Sequence, residues 1–210
     1  MERCLVALFL SVSILNAVIV DQIAIIVGNG IIKDSDIIED LRINAFLNHE
    51  AVSITRAARK EAANRLIDQT LIRKEIESGD YPSGSVAEEQ TLLSDVKKKY
   101  PDDASYQKAL AARGIDEPDV KKRLLWQLSV LRFIDSRFRP AVLVTDQDID
   151  MYIREHRQQL RTATPGKSAE EVRSQAEDFL VGERVNQLLE KWLDRRRKAT
   201  KIVYLEDALK

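Results

Sequence analysis

The hydrophobic pattern changes period several times along the chain. Val20–Val27 is dense in β-branched residues and has the length of a strand, and Ile31-Ile32 resumes the run after Gly28-Asn29-Gly30. An apolar run interrupted by residues that tolerate positive φ predicts a β-hairpin. The period then lengthens to that of a helix: Ile37, Ile38, Leu41, Ala45 and Phe46 share a face, with Ser35 or Asp34 as the cap and a start near Asp36. A long amphipathic helix runs from Thr55 to Ser78 with Gly79 as its C-terminal cap, on a stripe of Ala58, Ala62, Leu66, Ile67, Leu71 and Ile76.

Ser85 and Glu88 have the spacing of a capping box, which opens a helix that Pro101 cannot continue. A short helix from Asp103 to Arg113 closes on Gly114, and Asp116-Glu117-Pro118 starts another with proline in its first turn. Its stripe is Val120, Leu124, Leu125, Leu128, Leu131, Ile134 and Phe138, and Pro140 ends it. Thr145 and Asp148 lead a helix to about Leu160, followed by a loop over residues 161–167. Ser168 and Glu171 cap a last, long helix with the stripe Val172, Ala176, Phe179, Leu180, Val185, Leu188, Leu189, Trp192 and Leu193. Lys201–Leu205 then alternates like an edge strand. The expected fold is mainly α: a hairpin, six or seven helices and one strand. A lone hairpin is marginal in water, so the C-terminal strand is expected to pair with it and bring the chain ends together.

The first twenty residues do not fit this pattern. Met1-Glu2-Arg3 precedes an apolar stretch from Cys4, with a small residue, Ala17, where a signal peptidase could cut. Residues 1–17 are therefore read as a signal peptide with cleavage after Ala17, and 18–210 as the folded domain. The alternative is an uncleaved membrane anchor. The run from Cys4 to Val20 is shorter than the ~20 apolar residues that a spanning helix needs, and Ser11, Ser13 and Asn16 interrupt it. Cys4 is the sole cysteine, so cleavage leaves a mature chain with none, in keeping with export. The expected location is periplasmic or otherwise exported.

Charge removes other classes. Of 210 residues, 33 are Lys or Arg and 34 Asp or Glu, for a net charge of −1. Such a balance lacks the basic footprint of a nucleic-acid binder. Gly28-Asn29-Gly30 has Lys33 where a dinucleotide fingerprint needs its third glycine, and the Gly79–Gly84 spacing is followed by Ser85 where a phosphate loop needs lysine. His49 and His156 are far apart in sequence, and neither belongs to a two-histidine helical metal motif. The acid pairs Glu88-Glu89, Asp102-Asp103 and Glu170-Glu171 fall in first helical turns, where the helix dipole accounts for them; Lys97–Lys99 and Arg195–Lys198 fall in last turns for the same reason. No catalytic residue, cofactor, metal or small-molecule substrate is expected.

Several segments resemble one family in the same order. The stretch from Val20-Asp21 through the hairpin to Leu41 is similar to the opening of the SurA-like chaperone domain. Arg65–Glu75, Ala109–Ile115 with the Val120–Phe138 helix, Val144–Tyr152, and Glu190–Leu193 through Ile202–Leu205 resemble its later helices and closing strand. The resemblance implies a SurA N-terminal-like chaperone domain made of residues 18–160 and 168–210. Many relatives carry a parvulin-type prolyl isomerase domain before the closing helix. Here that place is the 161–167 loop, too short to hold one, so no isomerase activity is expected. The partners implied are unfolded or nascent exported polypeptides, including those bound for an outer membrane. Physically, such a binder needs adaptable apolar surface with a charged rim. The alternative is a scaffold or adaptor of the same fold that binds one specific protein. Exchange of the terminal strand between two copies would give a homodimer.

Overall fold

In the computed structural model, the described residues are 21–163 and 166–209. The proposed leader and its Ala17 cleavage position lie outside them. The described residues form eight α-helices and one three-stranded antiparallel sheet. Strands β1 (Ile23–Val27) and β2 (Gly30–Lys33) make the hairpin, with Gly28 at φ +60° in the turn. Strand β3 (Ile202–Tyr204) pairs with the other side of β1, giving the order β2-β1-β3. The described ends of the chain therefore meet in one sheet, as the alternation at Lys201–Leu205 suggested.

Helix α1 (Asp34–Leu47) begins two residues earlier than expected, and neither Ser35 nor Asp34 caps it. Lys33 still pairs with Ile23 in the hairpin, so the strand runs straight into the helix and leaves no separate capping residue. The Asp36 carboxylate turns back and accepts the Lys33 N–H at 2.8 Å. Ser35 hydrogen-bonds Asp21 instead, which holds the Asp21 carboxyl below its ordinary value.

Helix α2 (Arg56–Ser78) is capped by Thr55, and α3 (Val86–Lys97) by the Ser85–Glu88 box. Gly79 follows α2 at φ −121°, in extended backbone rather than the left-handed region expected of a glycine cap. Its smallness serves a different end: a Cβ there would lie 2.5 Å from the Tyr81 ring. Helix α4 (Asp103–Ala111) closes near Gly114, which does take a positive φ of +63°. Helix α5 (Glu117–Phe138) has Pro118 in its first turn and yields to a 3-10 turn at Arg139–Ala141.

The single helix expected from Thr145 to Leu160 is two. Helix α6 (Asp146–Glu155) stops at His156, and α7 (Arg157–Ala163) carries on into the first three residues of the expected 161–167 loop. His156 leaves helical geometry at φ −104°, ψ 14°, and its ring Nδ1 lies 3.0 Å from the Tyr152 carbonyl. Helix α8 (Ala169–Ala199) is the long closing helix, capped by Ser168.

Three cores hold these elements together. Ile25, Val27 and Ile32 of the sheet pack on Ile37 and Leu41 of α1 and on Ala62, Ala63, Ile67 and Leu71 of α2. Ile43 and Phe46 of α1 join Leu93, Tyr106, Leu110, Val120 and Leu124 from α3, α4 and α5. The third core is aromatic: Trp192 of α8 sits 5.6 Å from Phe133 and 6.2 Å from Phe138, ring centre to ring centre. Two of the large stripe residues are exposed rather than packed in a core. Leu131 is 63% exposed and Phe179 53%.

Candidate functional site

The first question is which chemistry-bearing residues are already occupied. Glu88, Asp102 and Glu171 are capping acids: each is hydrogen-bonded to the serine or amide at its own helix start, which holds its carboxyl below the ordinary value. Glu88 is also joined to Arg132. The basic runs pin helices rather than decorate their ends. Lys97 pairs with Glu117 at 2.6 Å. Arg197 joins α8 to α2 through Asp68 at 2.6 Å and the Asn64 carbonyl at 2.8 Å, and Arg196 reaches Glu75. His49 is exposed at φ +59°, near the Tyr100 ring. Among the described residues, no three His, Cys, Asp or Glu side chains are grouped to hold a metal ion. No helix among them is long and apolar enough to cross a membrane.

Among the described residues, two hollows stand out by their linings. The first belongs to an arm. None of the three cores draws on α6, α7 or the Ala169–Leu180 part of α8. These segments pack on one another through a narrow seam, with Ile149 and Ala176 buried, and Arg173 clamps it to Asp146 at 2.6 Å and to Asp150. At the base Arg184 binds Asp148 at 3.0 Å and the Leu143 carbonyl. Asp148 is held down to a pKa of about 2, first by the Thr145 amide, then by Arg184 and the Thr145 hydroxyl.

The seam is too narrow to cover the arm's apolar residues. Tyr152 stacks between His156 and Phe179, at 4.2 Å and 5.0 Å between ring centres. Met151 is 48% exposed and Phe179 53%. With Tyr152 and Leu180 they line a hollow of about 330 Å³, rimmed by Asp148, Glu155, Glu183 and Arg184. An apolar floor of aromatic rings and a pliable methionine inside a ring of both charges suits varied apolar side chains.

The second surface is a hollow of about 220 Å³ among β2, α1, α2 and α5. At its base lies Asp40, a fully buried carboxylate on the inward side of α1. It accepts from Arg123 of α5 at 2.6 Å, Arg65 of α2 at 2.8 Å and Asn44 at 2.9 Å. One acid thus sets the spacing of three helices. Trp126 lines the far end under the Arg73 guanidinium, 4.1 Å from the ring centre.

Sequence reasoning singled out neither surface. Asp40 sits three residues after Ile37 and one before Leu41, on the face that periodicity assigns to the core. That was the available signal. Its two arginine partners lie 25 and 83 residues away, beyond the reach of any local motif. The sequence was compared with protein-family models and with curated proteins, and it matches none of them.

Proposed function

We propose that this protein is an exported, chaperone-like binder of unfolded polypeptides that acts without prolyl isomerase chemistry. The observation that carries the reading is the arm: a hollow with an aromatic and methionine floor and a charged rim, on helical segments that contribute nothing to the body's cores. Folding alone gives no reason to leave Phe179 and Met151 uncovered, since burying a side chain of that size is worth about 1.5–3 kcal/mol. A surface that receives apolar segments of other chains does. The order of SurA-like segments along the sequence supports the same reading, and so does the leader-like start. In this reading clients are unfolded or nascent exported chains, held by many weak contacts.

The test is suppression of aggregation. Chain beginning at Val18 is mixed with a thermally denatured globular protein and light scattering is followed. The expected result is slowed aggregation, lost to a large extent in the double variant Met151→Ser, Phe179→Ser. Both side chains are about half exposed and Phe179 stacks on Tyr152, so each change should cost no more than about 1.5 kcal/mol, checked by urea unfolding. No effect of the unaltered chain on aggregation, together with no binding of a labelled unfolded polypeptide, would refute the proposal. Turnover in a peptide isomerisation assay would refute the part that denies isomerase chemistry. One tight partner in place of many weak clients would establish an adaptor instead.

A further inference from the structure

The free edge of β2 is a second place where the chain can hold a polypeptide, and backbone chemistry identifies it. Leu205 donates its N–H to Ala24, and Gly28 donates its own to Lys201. The even-numbered residues of β1 therefore direct their backbone groups toward β3, and the odd-numbered ones toward β2. Ile31 stands opposite Ile26, so its N–H and C=O point away from β1. Neither has a partner among the described residues. The next outward N–H, two residues along at Lys33, is already taken by Asp36. The exposed edge is thus narrowed to one donor–acceptor pair, on a residue whose side chain is 51% exposed.

This pair borders the hollow above Asp40. Successive strand residues point to opposite faces of a sheet, and both Ile31 and Ile32 line the hollow. A space bounded by both lies at the strand's edge. The charges on its walls differ in sign. On α1, Asp36 and Glu39 face it; on α2 and α5, Arg73 and Lys122 do, and the one acid on the α5 side, Asp119, is taken by the Asp116 N–H at 2.9 Å. Glu39, Arg73 and Lys122 have no ion pair among the described residues, whereas Arg65 and Arg123 share the single charge of Asp40.

We propose that an extended segment of a client polypeptide adds to the outer edge of β2 as a fourth strand, bonded to the Ile31 main chain, with its side chains in the groove between α1, α2 and α5. Backbone pairing gives affinity without demanding a sequence, and alternate side chains supply preference. The wall charges define that preference: an apolar residue flanked by a cation toward α1 and a carboxylate toward α2 and α5. The inference rests on the reading of the protein as a polypeptide binder, but it names a different surface from the arm.

The probe is a fluorescein-labelled octapeptide of alternating valine and threonine with a terminal lysine and a terminal glutamate, followed by fluorescence anisotropy. Methylation of every internal peptide amide should weaken binding at least tenfold, because it removes the donors from both edges of the peptide, one of which must pair with β2. Ile31→Pro should do the same, since it deletes an outward N–H and no bond of the β1–β2 ladder; Ile31→Val should bind normally. Glu39→Lys should weaken the lysine-bearing peptide severalfold. Equal affinity for the methylated peptide would overturn the proposal, and that measurement needs no variant to fold. So would an Ile31→Pro protein of unchanged circular dichroism that binds within twofold. A chain that suppresses aggregation yet ignores the peptide overturns strand addition and leaves the chaperone reading standing. One that binds the peptide through Ile31 without suppressing aggregation upholds strand addition and overturns the role given to the arm.

Discussion

Replacing Asp40 with asparagine keeps the side chain's shape and removes the charge that three helices share. The magnitude follows from the exposure of its partners. Arg123 has an 11% exposed side chain and a 2.6 Å contact, so its bond to Asp40 is a charge-assisted hydrogen bond largely shielded from water, worth about 1.5–3 kcal/mol. Arg65 is 42% exposed, and solvent screening holds its share to about 0.2–1 kcal/mol. The amide also turns a donor toward at least one guanidinium, and breaking a buried pair from one side costs about 3–5 kcal/mol where both charges are fully enclosed. Arg123 is nearly enclosed and Arg65 is not, so the expected loss is about 3 kcal/mol. For a domain of this size that is a fall in Tm of roughly 6–12 °C. Urea unfolding followed by far-UV circular dichroism measures it. A double-mutant cycle with Arg123→Met should give a coupling of about 1.5–3 kcal/mol, near the upper end for contacting residues. A loss below about 1 kcal/mol, with coupling under about 0.5 kcal/mol, would show that the carboxylate does not join the helices as described.

Three further outcomes are expected. Val203 lies opposite Ile26 with its N–H directed into the β1–β3 ladder, so Val203→Pro should cost roughly 1–3 kcal/mol and speed hydrogen exchange at Ile26 and at Leu205, whose N–H bonds the Ala24 carbonyl; unchanged exchange would contradict the pairing. Trp192→Ala empties the middle of the aromatic core, and a loss of about 3–5 kcal/mol is expected in urea unfolding, with less than half of that counting against the packing. Asp148 titrates at about 2 in the folded chain, down from its ordinary 3.8, so the stability it provides is complete above about pH 4 and is lost as pH falls toward 2. Carboxyl NMR should place its midpoint near 2, and Asp148→Asn should remove this contribution to acid loosening of the arm.

Local signals in the sequence were physical and therefore legible. Thr55, Ser85, Asp116, Thr145 and Ser168 each accept the amide three residues on, because an unpaired N–H at a helix start demands an acceptor wherever the helix lies. Closure of the hairpin by the C-terminal strand was legible too, since two strands could not stand alone. Periodicity, in contrast, says that a face is apolar and not what covers it. Phe179 keeps helical spacing with Ala176 and Leu180, yet that part of α8 packs mainly on α6, a seam too narrow to hide it. Leu131 shows the same on α5. Gly79 misled for a related reason: glycine at a helix end signals either positive φ or lack of space, and only the position of Tyr81 decides between them.

Asp40 also links the stability of the body to the strand site. A three-stranded sheet exposes two edges, and unprotected edges invite indiscriminate pairing. Here the Asp36 carboxylate occupies one outward amide of β2 and leaves Ile31 open beside a hollow whose width depends on how α1, α2 and α5 are spaced. Loosening that spacing should change the groove before it changes the sheet. At temperatures where Asp40→Asn is still more than nine-tenths folded, its affinity for the octapeptide should therefore fall severalfold, more than the folded fraction accounts for. Suppression of aggregation through the Met151–Phe179 hollow should persist, because no core connects the arm to Asp40. Equal loss of both activities would mean that the two surfaces act as one. Loss of neither would mean that the groove's width does not depend on the carboxylate.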